Sequence, residues 1–122
     1  MKNALVIDDS KFAADILCKL LGLLDVHAQA AYGTRAALLA IKDQTPDIIF
    51  VDINMPGLSG FEVLGFVKRD PITENVPVVV VTADDESDTA DKARQLGALS
   101  LLVKPVMLES LEVVLKLAHI ID

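Results

Sequence analysis

A small set of residues could together handle a phosphoryl group, because their side chains combine three carboxylates with a hydroxyl and an amine. The set comprises Asp8, Asp9, Asp52, Thr82 and Lys104. All of them stand at the ends of short apolar runs of the chain. Two unit charges about 4 Å apart repel by on the order of 4 kcal/mol at an effective dielectric near 20, so clustered carboxylates need a cation. Mg²⁺ suits such a site because it binds one or two carboxylates and keeps positions for water and phosphate oxygens.

Roles within this set follow from phosphoryl-transfer chemistry, in which positioning and charge neutralisation dominate. Asp52 would be the nucleophile and would form an acyl phosphate. Asp9 would bind Mg²⁺ directly with Asp8 close by, and the Lys104 ammonium would pair with a phosphoryl oxygen. Each residue alone has an ordinary explanation, since Asp8 and Asp9 could favour a helix start, Lys104 could be solvated and Thr82 could be a plain strand residue. The combination favours the site.

Five short apolar runs predict five strands. They are Ala4–Ile7, Val26–Ala30, Ile48–Val51, Val76–Val81 and Leu99–Val103. The first, third and fourth are apolar throughout, as in strands covered on both faces, whereas His27 and Gln29 place the second at an edge. Helical segments separate the strands, so the strands must be parallel and the fold an open, doubly wound α/β sheet. The carboxyl ends of the strands then gather the candidate residues at one rim, to which the second strand contributes none.

The segments between and after these strands have helical spacing. In the first of them an apolar stripe follows Ser10, a suitable N-cap. The stripe consists of Phe12, Ile16, Leu20, Leu23 and Leu24. The later helices are predicted over Thr34–Lys42, around Phe61, Leu64 and Val67, over Asp85–Leu96 before a C-capping Gly97, and from Leu108 to Ala118.

Composition narrows the class of protein. The chain has 122 residues, the size of one domain, and its mean hydropathy of +0.48 allows a well-filled core. A net charge of -7 argues against nucleic-acid binding. Asp8 and Asp9 interrupt the first apolar run well short of a signal-peptide core, and no run approaches the ~20 apolar residues of a membrane span. Cys18 is the one cysteine, which excludes an internal disulfide and agrees with a cytoplasmic location.

Four motifs together resemble the receiver domain of bacterial two-component response regulators, the CheY-like family. They are "VIDDSK", "VDINMPGLSG", "VVVVTA" and "GALSLLVKP", and they occur in the family's order and at its spacing. The resemblance covers the whole chain and implies a single receiver domain over residues 1–122. It also implies a flavodoxin-like (βα)5 sandwich whose five parallel strands lie in the order 2-1-3-4-5.

The resemblance also assigns residue roles. Asp52 matches the phospho-acceptor, and Asp8 and Asp9 match the acidic pair that binds the metal together with the backbone carbonyl of Asn54. Thr82 matches the hydroxyl residue that moves toward the phosphoryl group, and Ala83 matches the small residue beside it. Lys104 matches the family's lysine, which is joined by a cis peptide bond to the following proline, here Pro105. Asp84 matches a position that tunes how long the phosphoryl group survives.

The function that the resemblance implies is a phosphorylation-dependent signalling switch. A sensor histidine kinase, a phosphotransfer protein or a small phosphodonor would phosphorylate Asp52 with Mg²⁺ present. Thr82 would then move, and the face built from the fourth helix, fifth strand and fifth helix would change its packing and act on a downstream protein. Beyond its own phosphorylation and dephosphorylation, we expect no enzymatic activity. No effector follows the last helix, so the chain either works alone or belongs to something longer.

Two other functions stay open from the sequence. A phosphohydrolase of the haloacid-dehalogenase type also uses an aspartate, a threonine and a lysine, but it would want an acid where this chain has Asn54. The second is a receiver-fold adaptor that acts independently of phosphorylation. In many family members a Tyr or Phe ring turns inward when the threonine moves and so transmits the signal, but this chain has Leu101 at that position. Since leucine has no ring to turn inward, we expect phosphorylation to change the loop near Thr82 more than the surface at Leu101.

Overall fold

A computed structural model describes residues 1–57, 59–83 and 87–122. The strands are β1 (Asn3–Ile7), β2 (His27–Ala31), β3 (Ile48–Asp52), β4 (Val78–Thr82) and β5 (Ser100–Val103). They alternate with the helices α1 (Lys11–Leu23), α2 (Thr34–Asp43), α3 (Gly60–Arg69), α4 (Ser87–Gln95) and α5 (Leu108–Leu117). All strand pairs are parallel, and the order in the sheet is β2-β1-β3-β4-β5. The predicted fold class, strand order and edge position of β2 are therefore confirmed.

Successive residues of the central strands point to opposite faces of the sheet, and each face has its own helices. Helices α2, α3 and α4 cover the face that includes Ile7, Val51 and Val80. Helices α1 and α5 cover the face that includes Val6 and Phe50. Every residue of β3 and β4 is buried. This double coverage explains why both strands are apolar up to their last residue.

The predicted apolar stripe of α1 packs only in part: Leu20 and Leu24 lie against the core, whereas its other members are exposed. Ala14, Leu17 and Leu21 are the buried residues of this helix, whereas Phe12 is 78% exposed and Ile16 42% exposed. Helix α1 in fact has two apolar faces, and both have helical periodicity, so spacing could not choose between them. The face with the small Ala14 packs on the sheet, and the face with Phe12 and Ile16 remains on the surface.

The element ends lie close to their predicted positions. The Ser10 Oγ accepts the N–H of Ala13 at 3.3 Å, which confirms the N-cap of α1. Gly97 follows α4 with a φ of 101°, a left-handed conformation that favours glycine at a helix end. The predicted start of α4 at Asp85 lies outside the described residues. Among the described helices, none is long and apolar enough to span a bilayer.

Candidate functional site

The carboxyl end of β1 places two aspartates side by side in different surroundings. Asp8 is 5% exposed. Its N–H donates to the carbonyl of Ala31 at 3.1 Å, and its Oδ1 accepts the N–H of Ser10 at 2.9 Å. Asp9 is exposed. Asp8 is therefore held by the end of β2 and the start of α1, while Asp9 remains open to solvent and to ligands.

Asp52, the last residue of β3, completes the acidic cluster. It is 6% exposed, and its Oδ1 accepts the N–H of Asn54 at 3.1 Å. Carboxylate oxygens of Asp8, Asp9 and Asp52 lie within 4.8 Å of one another. The structure thus brings together all three carboxylates that the sequence predicted at this rim.

Lys104, directly after β5, bridges two of these carboxylates. Its Nζ lies 2.9 Å from Oδ2 of Asp8 and 3.4 Å from Oδ2 of Asp52. The Lys104 N–H donates to the carbonyl of Thr82 at 2.7 Å, which ties the ends of β4 and β5 together. The Lys104–Pro105 peptide bond is cis, as the resemblance implied. The lysine therefore reaches the acidic cluster from the far end of the chain.

Burial and charge oppose each other at this site. Burial raises the pKa of Asp52 above its ordinary 3.8; the N–H of Asn54 and the charge of Lys104 counteract this, while the charge of Asp8 adds to it. Burial alone would lower the pKa of Lys104, but its hydrogen bond to Asp8 and the charges of Asp52 and Asp8 raise it above 10.5. Three carboxylates facing one ammonium leave an excess of negative charge, which a cation would relieve.

The remaining predicted site residues lie around the cluster. Thr82 is fully buried at the end of β4, and Ala83 after it is exposed. Asn54 is exposed, and its N–H binds Asp52. The role of the Asn54 carbonyl as a metal ligand stays a prediction. Asp84 lies outside the described residues.

The donor set fits Mg²⁺. Carboxylate oxygens are hard donors, and three of them converge within 4.8 Å beside a partly open surface at Asp9. Mg²⁺ keeps several waters and prefers oxygen ligands over nitrogen or sulfur. A cluster of three carboxylates therefore suits a hard cation such as Mg²⁺.

Residues 4–116 match a family model described as the response regulator receiver domain. The chain belongs to this family. Protein PilH of Pseudomonas aeruginosa is 33% identical to it over 115 residues, which cover 91% of the chain and 92% of PilH. The phosphate regulon transcriptional regulatory protein PhoB of the same species is 31% identical over 104 residues, which cover 85% of the chain but only 45% of PhoB. The chain thus spans most of one relative and less than half of another.

Solved structures of receiver domains have the same fold. The chemotaxis protein CheY4 of Vibrio cholerae superposes with a TM-score of 0.88 at 27% identity, covering 95% of this chain and 97% of CheY4. The signal receiver domain of a DNA-binding response regulator from Colwellia psychrerythraea gives 0.89 at 29% identity, covering 95% and 96%. These likenesses agree with the strand order of this receiver domain.

A cavity of about 340 Å³ extends from the acidic cluster of this receiver domain along α1. Asp8, Asp52 and Lys104 line its polar end. Its apolar wall comes from both sides of the opening, and includes Phe12, Ala13, Ile16, Phe50 and Val106. The exposed face of α1 and the segment after Lys104 therefore frame an apolar recess right beside Asp52.

The sequence interpretation missed a residue at the end of β2. Tyr32 directly follows this strand, and its hydroxyl donates to Oδ1 of Asp15 at 2.7 Å. That hydrogen bond to Asp15 raises the pKa of the Tyr32 hydroxyl. The Lys11 Nζ lies 5.7 Å from the centre of the Tyr32 ring. Tyr32 thus connects the end of β2 to the first turns of α1. In the sequence, the one sign of this contact is that Tyr32 directly follows a predicted strand.

Proposed function

We propose that this receiver domain is a phosphorylation-dependent switch of a two-component system and that Asp52 accepts the phosphoryl group. The observation that carries the proposal is the bridge from Lys104 to Asp8 and Asp52 inside the three-carboxylate cluster. A buried nucleophilic carboxylate with a lysine and a second acidic group at hand has the composition that phosphoryl transfer needs.

Each residue of the site has a separate part in the proposed phosphoryl transfer. A carboxylate oxygen of Asp52 attacks the phosphorus, and the bond from phosphorus to the donor breaks with its electron pair leaving on the donor. Lys104 exchanges part of its pairing with Asp8 and Asp52 for an oxygen of the transferred group. Asp8, Asp9, Asp52 and the Asn54 carbonyl would hold Mg²⁺, which neutralises charge on the phosphoryl oxygens when bound. The Thr82 hydroxyl then moves toward the new phosphoryl oxygens.

The partner that fits this site is a sensor histidine kinase or a phosphotransfer protein. The exposed apolar face of α1 lies beside the opening over Asp52, so Phe12 and Ile16 offer a partner helix an apolar surface next to the acceptor. Output would pass to a downstream protein through the surface of α4, β5 and α5. We place the switch in the cytoplasm, with residues 1–122 acting as one unit without direct contact to nucleic acid or membrane.

The test is transfer of labelled phosphate from acetyl phosphate. The wild-type chain should gain an acid-stable, alkali-labile label with Mg²⁺ and lose most of it when EDTA replaces the metal. Asp52→Asn should gain none, whereas Asp43→Asn, which removes an exposed carboxylate at the end of α2, should label like wild type. Labelling of Asp52→Asn at the wild-type rate would refute the assignment.

The alternatives raised by the sequence gain no support from the described part of the site. A phosphohydrolase would turn over a generic phosphate ester such as p-nitrophenyl phosphate repeatedly, whereas the switch should take up a single phosphoryl group per chain. An adaptor independent of phosphorylation would bind its target equally well with and without beryllofluoride, a mimic of the phosphoryl group, in Mg²⁺ buffer.

A further inference from the structure

Helix α4 is only lightly anchored to the rest of the molecule. Of its nine residues, all of which the structure describes, Ala93 is the one that is buried. Lys92 is exposed, but its Nζ lies 4.6 Å from the centre of the Phe61 ring in α3. An ammonium within about 6 Å of a ring centre is attracted to the ring face. This contact therefore links the surface of α4 to α3 next to the buried Ala93.

The residue before Phe61 packs against the backbone of Asp52 and Ile53. This residue is Gly60, whose N–H donates to the Ile53 carbonyl at 3.2 Å. A methyl group built on Gly60 would lie 2.6 Å from the Cα of Ile53 and closer still to the carbonyl oxygen of Asp52. The start of α3 packs directly against the backbone at Asp52, so we expect a displacement of that backbone to move Gly60 and, with it, Phe61.

The position where many family members have an aromatic ring offers no such path. Leu101 in β5 is half-buried and packs against the same apolar cluster as Phe61. Leucine has neither a ring face for a cation nor a hydroxyl to expose. Phe61 differs from Leu101 in that its neighbour Gly60 packs against the backbone of Asp52 and its ring contacts Lys92 of α4.

We propose that Phe61 and Lys92 are positioning residues of the switch, and that their contact transmits the phosphorylation state of Asp52 to α4. The proposal rests on the proposed function. The contact belongs to the unphosphorylated arrangement: the bulk and charge of a phosphoryl group on Asp52 displace the loop and Gly60, the ring moves, and Lys92 loses its attraction to it. α4 is then free to take its second position.

Thermodynamic linkage gives the size of the effect. A contact present in only one of two states biases their equilibrium by its full free energy, and an exposed cation–π pair changes an equilibrium constant about two- to fivefold. Removing the pair should therefore favour the phosphorylated arrangement, and the chain should respond to beryllofluoride at a concentration about two to five times lower.

The experiment is a beryllofluoride titration in Mg²⁺ buffer, followed through the backbone amide signals of α4 in ¹⁵N-labelled protein. Lys92→Met, which keeps the length of the side chain without its charge, and Phe61→Leu should each lower the midpoint two- to fivefold. The double variant should show no further change, because either substitution alone removes the contact. Lys92→Arg retains a cation for the ring and should titrate like wild type.

The matched control is Arg94→Met on the same helix. Arg94 pairs with Asp91 at the surface of α4, so this variant loses a charge on α4 without touching Phe61. An Arg94→Met shift as large as that of Lys92→Met would overturn the proposal, as would unchanged midpoints in both single variants or additive shifts in the double variant.

The same titration separates the coupling from the proposed function. If the wild-type chain shows no response to beryllofluoride, the proposed function fails. If the wild-type chain responds and the Lys92→Met variant has the same midpoint, the coupling alone is refuted.

Discussion

The negative charge of Asp52 lowers the stability of the folded chain. Its raised pKa means that the folded state holds this proton more tightly than the unfolded state, so the free energy of unfolding falls as the pH rises above 3.8. Asp52→Asn should therefore stabilise the metal-free chain at pH 7. At pH 3 the difference should nearly vanish, because Asp52 is then uncharged as well.

Urea unfolding of both proteins at pH 3 and pH 7 in EDTA measures this difference. Asp43→Asn serves again as the control, and it should show little change at either pH. An Asp52→Asn variant less stable than wild type at pH 7 would mean that the favourable interactions of the charged Asp52 with Lys104 and the Asn54 N–H outweigh the cost of its burial and the repulsion by Asp8.

The two glycines of α3 should respond in opposite ways to substitution by alanine. At Gly60 the new methyl group would collide with the backbone of Asp52 and Ile53, which cannot yield. We expect Gly60→Ala to cost about 1–3 kcal/mol and to disturb phosphorylation of Asp52. At Gly65 the methyl group would meet the end of the flexible Arg69 side chain. Since alanine is the better helix former by about 0.5–1 kcal/mol, Gly65→Ala should be neutral or stabilising.

Thermal unfolding of the two variants compares them directly, and acetyl phosphate labelling adds the functional readout. Equal losses of stability would show that α3 is sensitive to any added methyl group, and that the contact of Gly60 with the backbone of Asp52 and Ile53 has no special effect.

At the level of elements, the sequence predicted strands better than helix faces. The runs of β3 and β4 are short, continuously apolar and rich in β-branched residues. This pattern is typical of parallel strands that helices cover on both faces. Helix α1 was different, since Phe12 and Ile16 repeat with the same period as Leu17 and Leu21. Which face packs depends on the shape of the sheet surface, and single-sequence periodicity does not contain that information.

The cavity beside α1 has space that a larger side chain can fill. Ala13 faces it together with Phe50 and Val106. Ala13→Met should place flexible apolar atoms in this space and stabilise the chain by about 0.5–2 kcal/mol. Ala36→Met is the control, because Ala36 lies exposed on α2. The gain should appear in urea unfolding of the first variant only. Equal effects in both variants would indicate a general helix effect rather than filling of the cavity.

At the scale of the whole molecule, parallel topology explains why the site was predictable. Asp8 and Lys104 are 96 residues apart, yet strands joined through helices must bring their carboxyl ends to one rim. Side-chain details were out of reach: the bridge of Lys104 between two carboxylates, the bond from Tyr32 to Asp15 and the stacking of Lys92 on Phe61 depend on rotamers selected by packing across elements. Residue types and topology predict a site, whereas its coupling to the rest of the molecule needs the structure.

The absence of a ring at Leu101 should limit how far phosphorylation changes β5. Leu101 is half-buried against the core and pairs in register with Val80, so its side chain has little room for a second position. Beryllofluoride should therefore shift the amide signals around Thr82 and Ala83 more than those of Leu101 and its neighbours. Leu101→Tyr, which restores the ring common in the family, should enlarge the shifts in β5, while Leu101→Met should not. Comparable shifts at Thr82 and Leu101 in the wild-type chain would show that β5 responds without an aromatic side chain.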